Sequence, residues 1–278
     1  MGEALKNRTH LPNVYLGVIL LLMYVPIVLV IIYSFNESKI SSVWDGFSLK
    51  WYEELFRDRA LFESLLNSII LGLCSAVVAT VLGTLAALGI HAMRGRVRRL
   101  VMTLTNIPLV NPEIVTGVSL SLLFVFIGRN MLHTENILGF GTLLIAHVTF
   151  NLPYVILSVM PKLRQMDGQL MDAAQDLGCT PLQGFFKVIL PELWPGIISG
   201  AIMAFTMSLD DFVISYFVYS PKFATLPVEI YTYTKKQIPP MYYSMFTLLF
   251  FLILAVMIGM NIIQARDQKK VNKRKVKI

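Results

Sequence analysis

Charge is scarce in this sequence. Asp, Glu, Lys and Arg together make up 15% of its 278 residues, while 55% are hydrophobic. Soluble domains carry about 25% charged residues, and the mean hydropathy of +0.65 excludes a water-soluble fold. Cysteine is nearly absent: Cys74 lies inside an apolar run and Cys179 in a polar segment, so the two sit at different membrane levels, do not pair, and have no neighbours suited to binding a metal. No G-x-x-x-x-G-K-[ST] phosphate loop occurs, so the chain has no nucleotide site of that kind.

What the chain does have is long apolar runs. A hydrocarbon core about 30 Å thick takes about 20 helical residues to cross. Val14 to Tyr33, Ser68 to Ile90, Leu100 to Ile127, Ile137 to Met160, Gly196 to Tyr219 and Met245 to Ile263 each meet that length. The expectation is an all-α integral membrane protein of six spans, a single transmembrane domain over 1–278. The first run is too long for a signal-peptide core and lacks a following cleavage motif, so it is expected to remain as an anchor. The third run is broken internally by Pro108, Asn111, Pro112 and Glu113. Such a break is either a kink packed between helices or a broken helix beside a pathway.

Basic residues set the orientation. With both termini inside, cytoplasmic segments hold sixteen of the twenty-four Lys and Arg residues, so the net charge of +7 is mostly a topology signal. It does not call for a nucleic-acid partner. In the first external loop, WYEELFRDRALFESLL (51–66) suits a short helix on the membrane surface. Trp51 and Tyr52 there read either as part of an interfacial belt or as rings at the outer mouth for a cation.

Residues 161–195, between the fourth and fifth runs, are polar. Leu163, Met166, Leu170, Ala173 or Ala174, and Leu177 recur at helical spacing. Gly178 then ends the helix and Thr180-Pro181 starts another, which Pro191 and Pro195 are expected to stop before the fifth span. In this helix, turn, helix the two alanines permit a close approach. An acidic residue before Ala-Ala, a Gly five residues after the first Ala and a Leu-Pro twelve residues after that Gly resemble the EAA signature of ABC-importer permeases. Here the positions are Asp172, Ala173, Ala174, Gly178, Leu190 and Pro191, with Asp172 in place of the usual Glu and Val188 in place of the usual Ile. The stretches YSFNES, WDGFSLKWY, NPEIVTG, SLDDFVISYF and LPVEIY extend the likeness to the second permease of bacterial spermidine/putrescine importers, over roughly residues 20 to 265.

The resemblance implies that 161–195 is a coupling segment seated on a separate ATPase subunit. It implies a complex of two different permeases, two ATPases carrying ATP and Mg, and an extracytoplasmic polyamine-binding protein, placed in the bacterial cytoplasmic membrane with both termini cytoplasmic. This chain would then be no enzyme and hold no cofactor, working by alternating access.

Three acids within the spans, Glu113, Asp210 and Asp211, are costly: each ionised Asp counts for about 2.5–3.5 kcal/mol at mid-membrane on the insertion scale. His147 is the only ionisable base within a span. A cationic cargo would supply the missing charge, as the resemblance also implies. On a continuous fifth helix Ser208, Asp211, Ser215 and Tyr219 would share a polar face, with Asp210 about 100° away from Asp211. One acid would then line a path while the other ties helices together. The expected pathway residues are Trp51, Glu113, Ser208, Asp210, Asp211 and Tyr219. Two alternatives stay open: a permease of the same type for another small solute, and an ion-coupled secondary transporter or membrane enzyme with the acids as a proton relay.

Overall fold

The computed structural model describes residues 10–38, 43–134, 136–234 and 239–275. Among these, helices account for nearly all regular structure, and six are long and apolar enough to cross a membrane. In chain order the helices are α1 (His10–Tyr33), α2 (Lys50–Arg57), α3 (Arg59–Ala92), α4 (Gly95–Val110), α5 (Glu113–Asn130) and α6 (Phe140–Gln165). They continue with α7 (Leu170–Asp176), α8 (Pro181–Gly184), a π-helical turn (Phe185–Ile189), α9 (Leu190–Asp210), α10 (Val213–Val218), α11 (Leu226–Thr234) and α12 (Met241–Lys275).

The chain forms two compact units, one of residues 1–62 with 233–278 and one of 63–232. In the first, α12 packs on α1 and α2. The loop after α1 is organised by Asn36, whose Nδ2 donates to the Val43 carbonyl (2.6 Å) and whose Oδ1 accepts from the Asp45 and Ser38 N–H groups. Trp51 donates its indole N–H to the Asn36 carbonyl at 2.6 Å, and Tyr52 and Ser34 share a hydroxyl contact of 2.7 Å. Helix α2 is shorter than the sequence suggests: it ends at Arg57, and the rest of WYEELFRDRALFESLL opens the long helix α3.

The second unit is built around α6, the most buried of the six candidate spans. Its contacts depend on small residues, the usual means of close approach between helices in lipid. A Cβ at Gly83 of α3 would lie 2.7 Å from the Val155 side chain, and one at Gly200 of α9 would lie 3.2 Å from Val155 Cα. Val155 is thus clamped between two glycines from different helices. Ala79, Ala87 and Ala204 complete a core with Val159, Met160 and Leu193.

Two expected spans break. The third run becomes α4 and α5, separated at Asn111-Pro112, and the apolar span starts at Glu113 rather than running through it. Pro112 cannot donate to the preceding turn and forces Asn111 out of the helical region (ψ 136°). The fifth run is helical only to Asp210. Asp211 is extended (ψ 114°) and α10 follows as a separate short helix.

Candidate functional site

The break between α9 and α10 holds its shape through a buried polar knot. Asp211 is 7% exposed, and its carboxylate accepts the Ile214 and Ser215 N–H groups at 3.2 and 2.8 Å, satisfying donors that the opening turn of α10 would otherwise strand. His147 of α6, 1% exposed, points Nε2 at Ser215 Oγ (3.0 Å) and Asp211 Oδ2 (3.5 Å), and Nδ1 at Ser208 Oγ (3.0 Å). Ser208 also meets Ser75 Oγ of α3 at 2.6 Å and accepts from Asn151 Nδ2 at 2.8 Å. Ser208 Oγ thus lies within hydrogen-bond reach of His147, Asn151 and Ser75, while the Ser75 hydroxyl also donates to the Gly72 carbonyl at 3.1 Å. Four helices, α3, α6, α9 and α10, are tied at this point.

This arrangement replaces the continuous polar face expected of the fifth helix. Ser208 and Ser215 are buried in the knot, and Asp211 works as a helix cap and as the partner of His147. Asp210, the last residue of α9, is exposed, as is Glu113 in the first turn of α5. Glu113 opens α5, and α5 packs along α10, the helix that starts two residues after Asp211. The three acids therefore gather where α5 begins, α9 ends and α10 begins. Helix α5 packs on α10 there, since a Cβ at Gly117 would come within 3.1 Å of the Phe217 ring and 3.4 Å of Ile214 Cα. A groove lined by Thr103, Asn106, Val110, Asn111 and Pro112 opens beside the α4–α5 break.

Of the other expected pathway residues, Tyr219 terminates α10, half-buried, its ring stacked with that of Tyr216 at 6.4 Å. Trp51 belongs to the first unit. It is 4% exposed, its N–H is engaged, and the Lys50 ammonium lies 5.3 Å from its ring centroid.

Other members of the site carry weak signals in the sequence. Ser75 is an isolated hydroxyl in an apolar run, marked only by its polarity. Asn151 stands out solely for its proline neighbourhood and His147 solely as a base. An aromatic cluster beside the acids is not legible as a cluster, because its members come from separate stretches, SLDDFVISYF and LPVEIY. Phe212, Tyr216 and Tyr231 bring their ring centroids within 4.7–5.3 Å of one another.

In the polar insert, α6 stops at Gln165 and α7 runs only from Leu170, so the expected single apolar stripe is divided between two helices. Leu163 is buried, while Leu177 is 86% exposed. Gly178 takes φ +86°, its N–H bonds to the Gln175 carbonyl, and Cys179 N–H reaches back to the Ala174 carbonyl at 3.0 Å, closing α7 with a glycine cap. Thr180 and Gln183 form a reciprocal capping box at the start of α8. The two alanines divide their roles: Ala174 is buried against Gly184 of the same insert, whereas Ala173, like Asp172, is exposed. Pro191 and Pro195 do not stop a helix. They sit inside α9, directly after a π-helical turn in which Leu190 N–H bonds to the Phe185 carbonyl, and the apolar segment continues from Pro181 to Asp210.

Relatives bear on these features. The chain is 34% identical over 94% of its length to the spermidine/putrescine transport system permease protein PotC of Haemophilus influenzae, 99% of which is covered. It is 35% identical to the Escherichia coli K12 protein of the same name, covering 92% of this chain and 94% of the relative. It is 40% identical to the putrescine transport system permease protein PotI of E. coli K12, covering 82% and 81%. Its fold matches that of a chain in the crystal structure of a bacterial ABC transporter involved in the import of the acidic polysaccharide alginate. The TM-score is 0.67 at 15% identity, over 94% of this chain and 96% of that one. Residues 79–272 match the family described as binding-protein-dependent transport system inner membrane component, and with relatives this similar along nearly its whole length, the chain belongs to that family of transport permeases.

Proposed function

We propose that this chain is one of two permease subunits of an ATP-driven importer that carries polyamines inward across the bacterial cytoplasmic membrane. The observation that carries the cargo assignment is that Glu113, Asp210 and Asp211 stand at helix ends where α5 packs on α10, with Glu113 and Asp210 exposed. The C-terminal end of α9 adds its own partial negative charge beside Asp210. Such a site favours a cation, and the names of the relatives specify spermidine and putrescine. Asp210 and Glu113 would meet the passing ammonium groups. Asp211, Ser208 and His147 would hold the helix break that presents them, and Tyr219 would close the short helix behind it.

In this reading both termini are cytoplasmic and residues 161–195 dock on one of two ATPase subunits, which hold ATP and Mg; an extracytoplasmic binding protein delivers the cargo. Asp172, Ala173 and the exposed Leu177 would face the ATPase, while Ala174, Gly178, Leu190 and Pro191 set the shape of the insert. ATPase closure shifts the insert, and through α9, continuous with it, moves the acids between outward and inward access. Bringing the ATPase dimer together thus changes which side the acids can be reached from.

The test is charge removal at exposed positions. Asp210→Asn and Glu113→Gln should leave assembly of the complex unchanged and lower polyamine uptake by about tenfold each, the equivalent of about 1.4 kcal/mol. Normal uptake in the double variant would refute a role for these acids in the pathway.

A further inference from the structure

Carboxylates alone do not distinguish an alkylammonium ion from a hydrated metal cation, both of which they attract. The selective element must offer something that a strongly hydrated inorganic ion cannot use. Resting on the reading above, we propose that Phe212, Tyr216 and Tyr231 form an aromatic subsite beside Asp210 that takes the alkylammonium units of the cargo by cation–π and methylene contact.

The three rings arrive from different elements. Phe212 lies in the break itself, Tyr216 on α10 and Tyr231 on α11. Phe212 and Tyr231 approach to 4.7 Å between centroids at 43°, Phe212 and Tyr216 to 5.3 Å at 39°, and Tyr216 and Tyr231 to 5.3 Å at 77°. Tyr216 extends the cluster by stacking on Tyr219 and meeting Phe217 edge-on at 5.5 Å. The face is reachable, since Tyr216 is 37% exposed while Phe212 and Tyr231 are half-buried.

Proximity to the acids follows from the chain. Phe212 is two residues after Asp210, so their Cα atoms lie within about 7 Å of each other. Asp211, extended and held by the Ile214 and Ser215 N–H groups, fixes the direction in which Phe212 leaves the break. A cationic group beside Asp210 is therefore within one short alkyl segment of the rings.

The chemistry fits a polyamine. Ring faces attract ammonium ions, and the attraction grows as the site is desolvated. Methylene units between nitrogens pack on the same faces, burying apolar surface. A magnesium ion holds its water and gains neither contact, so the rings would add selectivity that Glu113 and Asp210 lack.

The test uses the whole transporter in proteoliposomes, with loaded binding protein at saturating concentration so that handover and passage limit the rate. Tyr216 is replaced by phenylalanine and then by mono-, di- and trifluorophenylalanine, with the same fluorinated series at Phe212. Fluorination drains the ring face while nearly keeping its shape. Spermidine uptake should fall stepwise, by about fivefold from phenylalanine to the trifluorinated ring, with ATPase assembly unchanged. A flat series with intact uptake would overturn the aromatic subsite while leaving the polyamine reading standing. Absence of spermidine uptake by the unsubstituted transporter would overturn both.

Discussion

At the residue scale, most of the acids' chemistry is decided by one histidine and one backbone turn. His147 binds Ser208, Ser215 and Asp211 from a site that is 1% exposed. Removing it strands groups that water cannot reach, at about 1–3 kcal/mol for each. His147→Ala should therefore lower the thermal midpoint of the purified complex by several degrees, whereas Asp210→Asn should leave it unchanged; equal midpoints for the two variants would contradict the knot. The sequence announced the acids, because charge in an apolar run is conspicuous. It also separated Asp210 from Asp211, adjacent in the chain, but could not say which of the two is buried. That division comes from the extended backbone at Asp211, held by its local bonds to the α10 N–H groups and by the tertiary contact with His147. The surroundings of Trp51 are hidden for a similar reason: its indole N–H is engaged by the carbonyl of Asn36, fifteen positions away.

At the element scale, spans were legible from length and apolarity, and the turn at Gly178 from its residue type. Where helices broke or continued was less so, because proline has opposite outcomes in different settings. Pro112 separates α4 from α5, while Pro191 and Pro195 are absorbed into α9 after a π-helical turn. Close packing through glycine was also hidden, since the sequence does not reveal that Gly83 and Gly200 face the same valine. Gly83→Ala puts a methyl group 2.7 Å from Val155, overpacking worth about 1–3 kcal/mol. It should lower the thermal midpoint, and because Val155 Cβ is itself one of the 2.7 Å contacts, Val155→Gly in the same chain should recover part of the loss; additive losses in the double variant would rule out the clamp. At Gly178 the demand is conformational, since φ is +86° and a methyl group added there would meet nothing within 4 Å. Gly178→Val should strain the turn by about 1–2 kcal/mol and so reduce uptake per ATP hydrolysed about 5- to 30-fold, while Gly178→Asn retains coupling. Equal coupling ratios in the valine and wild-type transporters would remove the turn from the coupling pathway.

At the scale of the whole molecule, the six spans, the polar insert and the acid junction fit a transport permease. The scarcity of charge that first marked the chain as a membrane protein is also what makes its few interior acids informative. The central claim is that this path serves polyamines under the drive of ATP. Its most direct test is accumulation of labelled spermidine in proteoliposomes holding this chain with its second permease and ATPases, ATP inside and loaded binding protein outside. Uptake should require ATP, compete with putrescine and fall about tenfold in Asp210→Asn. Accumulation of a neutral or anionic solute in place of spermidine, or spermidine uptake without ATP, would contradict it.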